Sequence, residues 1–146
     1  MIKFETPRYG WLLITITDDE DTSREFKFDA SYLTDVPGDM LLAAITSIET
    51  GLPFAIELDG EEVGYATLIN SPYKGDLMLI GGDEPFIVRN EYPVELAKNV
   101  LNYIESNIEE VYKWLSYEDE PEEMEKYRNM IDERVEKLRN LLKEEE

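Results

Sequence analysis

Carboxylates are the groups in this chain whose number and spacing could do chemistry, and three runs concentrate them. The first is Asp18-Asp19-Glu20-Asp21. The second is Glu57, Asp59, Glu61 and Glu62. The third is Glu118, Asp119 and Glu120, continued by Glu122, Glu123 and Glu125. Two carboxylates can act as general acid and general base when different surroundings split their pKa values. Carboxylate oxygens can also ligate Ca²⁺ or Mg²⁺, or present a negative knob to a basic partner. A long regular track of them can imitate DNA, whose charges recur about every 1.7 Å along the axis.

Each run also has a plain structural use. Asp18–Asp21 is consecutive and lacks the alternating acids and central glycine of a calcium loop, so a solvated hairpin turn competes with a partner-binding knob. Glu57, Asp59, Glu61 and Glu62 surround a hairpin tip and share one wet environment, which argues against a split acid–base pair. Glu122, Glu123 and Glu125 suit the first turns of a helix, where acids complement the dipole. Glu118 fits that use less well and leaves room for a phosphate-like track.

Other chemistries are closed. The chain has no cysteine and no histidine. Disulfides, thiolate or imidazole metal sites and Ser-His-Asp or Cys-His catalysis are therefore impossible within it. Carboxylate, Lys or Tyr chemistry and oxygen-ligated cations remain, and no residues converge clearly enough to predict a catalytic site, a metal or a cofactor. Acids outnumber bases 34 to 14, a net charge of −20. Residues 1–92 hold 18 acids and 6 bases, and residues 93–146 hold 16 and 8, so the acidity is spread along the chain. Such a field repels nucleic acid and anionic lipid and attracts basic proteins; it also keeps a small protein soluble. No leading apolar segment resembles a signal peptide and no apolar run approaches the roughly 20 residues of a membrane span, which makes the cytoplasm the expected location.

The elements that must position these groups follow from hydrophobic periodicity. The 146 residues suit one domain: 1–92 as a sheet with one helix, 93–146 as a helical hairpin. Met1–Glu5 reads as a short edge strand ended at Thr6-Pro7. Trp11–Thr17 and Arg24–Tyr32 alternate as two strands of a hairpin, with Phe26, Phe28, Ala30 and Tyr32 inward. Asp35–Glu49 reads as a helix capped by Asp35, with Leu41, Leu42, Ile45 and Ile48 on its apolar face and Gly51 as its C-terminal cap. Phe54–Leu58 and Glu62–Ile69 flank Asp59-Gly60, a pair suited to a two-residue turn. The second of these strands sets Val63, Tyr65, Thr67 and Ile69 against Gly64, Ala66 and Leu68, and its small residues leave room for a close neighbour. Asp76–Ile80 and Phe86–Arg89 are shorter strands.

From Ala97 to Leu115 the spacing becomes helical over about six turns, and from Met124 to Leu142 it is helical again. Asp119 with Glu122 reads as a capping box for this last helix. Glu133 and Lys137 have the spacing of an ion pair along it. Trp114 falls off the apolar stripe, and with Tyr117 it is the best candidate for an interaction anchor, since Trp and Tyr dominate binding hot spots. The class is therefore α+β: an antiparallel sheet of about six strands, a seventh at the N-terminus, one inserted helix (strand-strand-helix-strand-strand) and a C-terminal two-helix hairpin.

The order Gly10-Trp11, Ser31-Tyr32-Leu33, Leu41-Leu42-Ala43-Ala44, Asp59-Gly60-Glu61-Glu62 and Gly64-Tyr65, followed by two long helices, resembles a widespread family of small acidic bacterial proteins. Some of its members look like immunity proteins that neutralise toxins. That family has a Glu-Pro-Gly turn where this chain has Asp59-Gly60-Glu61-Glu62, without the proline. The resemblance brings no catalytic residues. It implies a non-enzymatic binding protein and nothing finer. Joined to the acidity, it gives the expected function, a protein-binding module of immunity or inhibitor type that occludes a basic partner; the acid runs and aromatics give Asp18, Asp19, Glu20, Asp21, Trp114, Tyr117, Glu118, Asp119 and Glu120 as the expected contact residues. The alternatives are a nucleic-acid mimic that blocks a DNA-binding or defence enzyme, a small carboxylate enzyme, and a structural homodimer built through the helical hairpin.

Overall fold

The computed structural model describes residues 1–8, 10–115 and 120–145. The chain is α+β, with seven strands and four helices among the described residues. The strands form two antiparallel sheets, one of order β1-β2-β3 (Ile2–Arg8, Trp11–Thr17, Glu25–Ser31) and one of order β4-β5-β6-β7 (Phe54–Asp59, Tyr65–Asn70, Leu77–Ile80, Phe86–Val88). The expected single sheet of about six strands is thus two sheets. The split falls where helix α1 (Val36–Thr50) intervenes between β3 and β4. That helix has 15 residues, and β3 and β4 on either side of it come close without forming a ladder. Side chains hold β3 beside β7: Phe26 lies 5.7 Å from Phe86 between ring centroids, and Arg24 covers the Phe86 ring and donates to the Ile87 carbonyl at 3.5 Å. A guanidinium on that carbonyl blunts an edge that could otherwise recruit another strand.

Strand β1 runs on to Arg8, past the expected stop at Thr6-Pro7. A register shift between Glu5 and Arg8 accommodates Pro7, which cannot donate to the ladder and here sits on an edge strand. Strands β2 and β3 pair in register from Trp11↔Ser31 to Thr17↔Glu25. Of the four side chains expected to point inward on β3, Phe28 and Ala30 are buried, Tyr32 is half-buried beyond the strand's end, and Phe26 is exposed.

Helix α1 has the predicted punctuation. The Asp35 carboxylate accepts from the Gly38 N–H at 3.1 Å, and Gly51 closes the helix at φ +73° with its N–H on the Ser47 carbonyl. That left-handed angle favours glycine, whose missing Cβ removes the clash. Met40, Leu41, Ala44 and Ile45 form the buried face, while Leu42 points to solvent. The β4–β5 connection is not the expected two-residue turn. Asp59 pairs with Tyr65, so five residues intervene, and Glu61–Val63 form a short 3-10 turn. Gly60 has φ −93°, and the positive angles fall on Glu61 and Gly64. Gly64, at φ 91° and ψ −161°, occupies a region essentially restricted to glycine.

The expected six-turn helix is interrupted. Helix α2 (Pro93–Ser106) stops at Asn107, and a five-residue helix α3 (Ile108–Tyr112) follows. Asn107 keeps the helical backbone bond to the Tyr103 carbonyl but leaves helical geometry at φ −124° and ψ 30°, and its side-chain amide also donates to that carbonyl at 2.9 Å. Helix α4 (Pro121–Glu144) then runs antiparallel to α2, as the contacts of Tyr112 with Asp132 and of Glu105 with Arg139 (2.7 Å) require. Its stripe Tyr127, Ile131, Val135, Leu138 and Leu142 is buried, and its main neighbours are α1 and α2. Each such side chain contributes about 1.5–3 kcal/mol relative to exposure. The apolar face that the homodimer alternative needs is therefore spent inside the chain. Lys137 reaches Glu49 of α1 at 3.2 Å, not the expected Glu133.

Candidate functional site

The predicted contact residues fall in two environments, and the remaining acid run, Glu57 to Glu62, in a third. The Asp18–Asp21 loop is largely satisfied by itself. Asp18 accepts from Arg24 at 2.7 Å and from the Glu20 N–H at 3.0 Å. Asp21 accepts from the Ser23 hydroxyl and N–H, and those bonds hold its carboxyl below the usual range. Asp19 lies 3.4 Å from the Met1 ammonium. Glu20 is exposed, with its N–H already engaged by Asp18. The loop has the character of a structured turn between β2 and β3 whose acids mostly serve the turn.

The second environment is the corner between α3 and α4. Trp114 is only 3% exposed, and its indole N–H donates to the Thr34 carbonyl at 2.9 Å. It pins the end of α3 to the loop before α1, so its ring is not presented as an anchor. Tyr117, Glu118 and Asp119 lie outside the described residues, as does the Asp119 half of the expected capping box. Glu120 is exposed and occupies the N-cap position of α4 without a side-chain cap bond. A cleft of about 260 Å³ opens here between Tyr112, Met124, Tyr127 and Met130. The acids of α4 alternate with Lys126, Arg128, Arg134, Lys137 and Arg139. Arg128 lies over the Tyr112 ring at 4.4 Å, and Arg139 pairs with Glu105. That mixture of signs is not a phosphate-like track.

Beside this corner lies a buried polar cluster that the sequence did not flag. The Tyr127 hydroxyl donates to Asp35 at 2.6 Å, and Arg134 donates to the Gly38 carbonyl at 2.8 Å. Burial, with Asp35 and Asp39 nearby, pushes the Tyr127 hydroxyl far up. Burial and the neighbouring Asp35 also raise the Asp39 carboxyl, against a smaller lowering by Arg134. The cluster ties the N-terminus of α1 to α4. It has the character of a structural lock, since Asp35 Oδ1 accepts from both the Gly38 N–H and the Tyr127 hydroxyl.

The third environment is the β4–β7 sheet. Its inner face is Phe54, Ile56, Leu58, Ala66, Leu68, Leu77, Leu79 and Val88, all buried. The small Ala66 does have a close neighbour: a Cβ on Gly81 of the adjacent chain segment would lie 3.1 Å from its methyl. The outer face is mixed, with one wholly apolar row. Ala55, Ile69, Met78 and Ile87 pair in one row across all four strands, with Glu57, Thr67 and Ile80 in the next row and Asp59 with Tyr65 beyond. Ile69, Met78 and Ile87 are half-buried, Ile80 is 40% exposed and Tyr65 76%. The 60–64 and 81–85 turns lie at the same end of the sheet, because Thr67 pairs with Ile80 and Asp59 with Tyr65. Asp59, Glu61, Glu62, Asp83 and Glu84 gather there. No ion pair reaches any of the five among the described residues. The alternation along β5 was visible in the sequence, but with apolar residues on both faces it did not say which one meets solvent.

Among the described residues, no group of three or more acids is placed to hold a metal ion, and no helix is long and apolar enough to cross a membrane. No protein-family model, curated protein or solved structure matches the chain.

Proposed function

We propose that this protein is a non-enzymatic acidic binding module of immunity or inhibitor type, which captures a basic protein and occludes its nucleic-acid or substrate site. The observation that carries this proposal is the uneven neutralisation of its acids. The Asp18–Asp21 loop and helix α4 hold cations among their acids, whereas residues 54–88 contain seven acids and one base, Lys74. A local net charge of −6 over residues 54–88, or −5 with Arg89, which pairs with Asp76, speeds encounter with a basic surface and disfavours nucleic acid and anionic membranes. The resemblance of the motif order to small acidic immunity-like proteins points the same way. Affinity capture from the native cell at low and high salt, followed by kinetics on the purified pair, tests the proposal. A basic protein whose association rate falls steeply with salt is expected. A captured partner that is acidic and binds independently of salt refutes it.

A further inference from the structure

The outer face of the β4–β7 sheet has the anatomy of a binding surface, and we infer that it is the docking face for the basic protein, the partner presenting an apolar centre ringed by Lys and Arg. This inference rests on the functional proposal above and assigns it a place on the molecule. The row of Ala55, Ile69, Met78 and Ile87 crosses four strands spaced about 4.8 Å apart, and the next rows stand about 7 Å further along, so the open face measures roughly 15 by 15 Å. Size alone does not single this face out, since ordinary monomers expose apolar patches as large; its layout does, an apolar row bordered by acids at one end, as in an interface core and rim. At roughly 200 Å², the face is smaller than the ~800 Å² each partner gives to a standard interface. It therefore serves as the dry centre, and the 60–64 and 81–85 turns as the charged rim.

The charge decides the occupant. Asp59, Glu61, Glu62, Asp83 and Glu84 stand beside this face and form no ion pair among the described residues, although Arg8 lines a cleft with Glu61 and Glu62, and Arg24 lies over Phe86. A second copy of the chain would bring seven more acids and, within residues 54–88, only Lys74 to meet them. An anionic lipid surface would meet the same repulsion. A basic surface alone relieves it, and an apolar centre on that surface would cover Ile80 and Tyr65.

The test uses the full ¹⁵N-labelled chain and defined probes: end-blocked peptides of alternating Lys and Leu, alternating Lys and Ser, and alternating Glu and Leu. The Lys/Leu peptide is expected to shift the amides of β5, β6 and β7 first. The Lys/Ser peptide should bind at least tenfold more weakly, and the Glu/Leu peptide should leave the spectrum unchanged. Ile80→Glu is expected to weaken Lys/Leu binding at least tenfold although it adds a negative charge, which by itself would favour a cationic probe. Asp83→Lys with Glu84→Lys should weaken binding about tenfold and flatten its salt dependence. Met78→Glu gives a second apolar probe, and each variant's amide spectrum verifies its fold. Shifts confined to the Asp18–Asp21 loop or to α4, equal binding of the Lys/Ser peptide, or concentration-dependent shifts of the same amides without peptide overturn the docking face and leave the basic-partner proposal standing. Absence of binding by either cationic peptide overturns both.

Discussion

Replacing Trp114 by Phe separates its two possible roles. If Trp114 is a buried pin, the substitution removes the indole N–H from the Thr34 carbonyl, a 2.9 Å bond, and leaves a ring too small for the space. Loss of one partner of a buried hydrogen bond costs about 1–3 kcal/mol. Truncating a core Trp all the way to Ala costs about 3–5 kcal/mol. Phe retains most of the packing, so W114F should cost about 2–3 kcal/mol, and W114A about 3–5 kcal/mol. For a chain of this length, the W114F loss lowers Tm by roughly 4–12 °C at about 2–4 °C per kcal/mol. Urea unfolding followed by far-ultraviolet circular dichroism measures the cost, and an unchanged slope with a lower midpoint assigns it to stability. Trp11 is the only other tryptophan, so W11F leaves Trp114 as sole emitter. Its emission should lie at short wavelength and resist an aqueous quencher until the chain unfolds. A W114F cost within about 0.5 kcal/mol, the range of ordinary surface substitutions, together with free access of quencher to the W11F protein, would refute the pin and restore Trp114 as a surface anchor.

The lock between α1 and α4 gives further expectations. Tyr127→Phe removes a hydrogen bond to the Asp35 carboxylate and should cost about 1.5–3 kcal/mol. Asp35→Ala removes both that bond and the helix cap; with Y127F it should show a coupling of at least 0.5 kcal/mol in a double-mutant cycle of unfolding free energies. Asp39 titrates the other way from a stabilising carboxylate. Its folded carboxyl holds a proton more tightly than at the ordinary value of 3.8, so ionisation weighs against folding above the raised value, and that penalty lifts as pH falls toward 3.8. D39N should therefore be as stable as the parent or more so at neutral pH, and should lose the gain on acidification; a D39N curve parallel to the parent's refutes this. Asn70 is fully buried and donates to the Asp76 and Glu91 carbonyls at 3.1 and 2.8 Å. N70L leaves two acceptors without their donor and should cost about 2–4 kcal/mol by urea unfolding.

Local chemistry was legible where one residue type suffices for one geometry. Asp35 and Gly51 marked the ends of α1, and the alternation of Trp11–Thr17 and Arg24–Tyr32 marked their hairpin. What the sequence could not carry was competition between equivalent partners. Nothing in the strand patterns distinguishes pairing of β3 with β4 from their separation, because that choice depends on where α1 takes the chain. Asn107 reads as a polar position in a long amphipathic stripe, and only its backbone angles, with its side-chain bond to the Tyr103 carbonyl, mark it as a break. Trp114 fell off the stripe of a helix assumed continuous; once the helix breaks at Asn107, the same residue turns inward. The Tyr127–Asp35 bond spans 92 positions and has no local signature.

The acid runs show why a count of charges is a poor guide to a site. Asp18–Asp21 is the densest run, yet its members accept bonds from Arg24, Ser23 and the backbone, so much of their acceptor capacity is spent on the turn. The acids of α4 are more numerous, yet cations one or two turns away weaken their field within a Debye length of about 8–10 Å. The acids around the β4–β7 sheet are separated in sequence by strands, and register alone brings Asp59, Glu61 and Glu62 to the same end as Asp83 and Glu84. No described ion pair offsets their charge, although Asp59 accepts the Glu61 N–H at 2.8 Å, and the apolar row beside them is only half-buried, with Ile80 and Tyr65 exposed next to it. Acids without ion pairs and half-buried apolar residues on one face are the pattern expected where binding, and not folding, supplies the missing contacts.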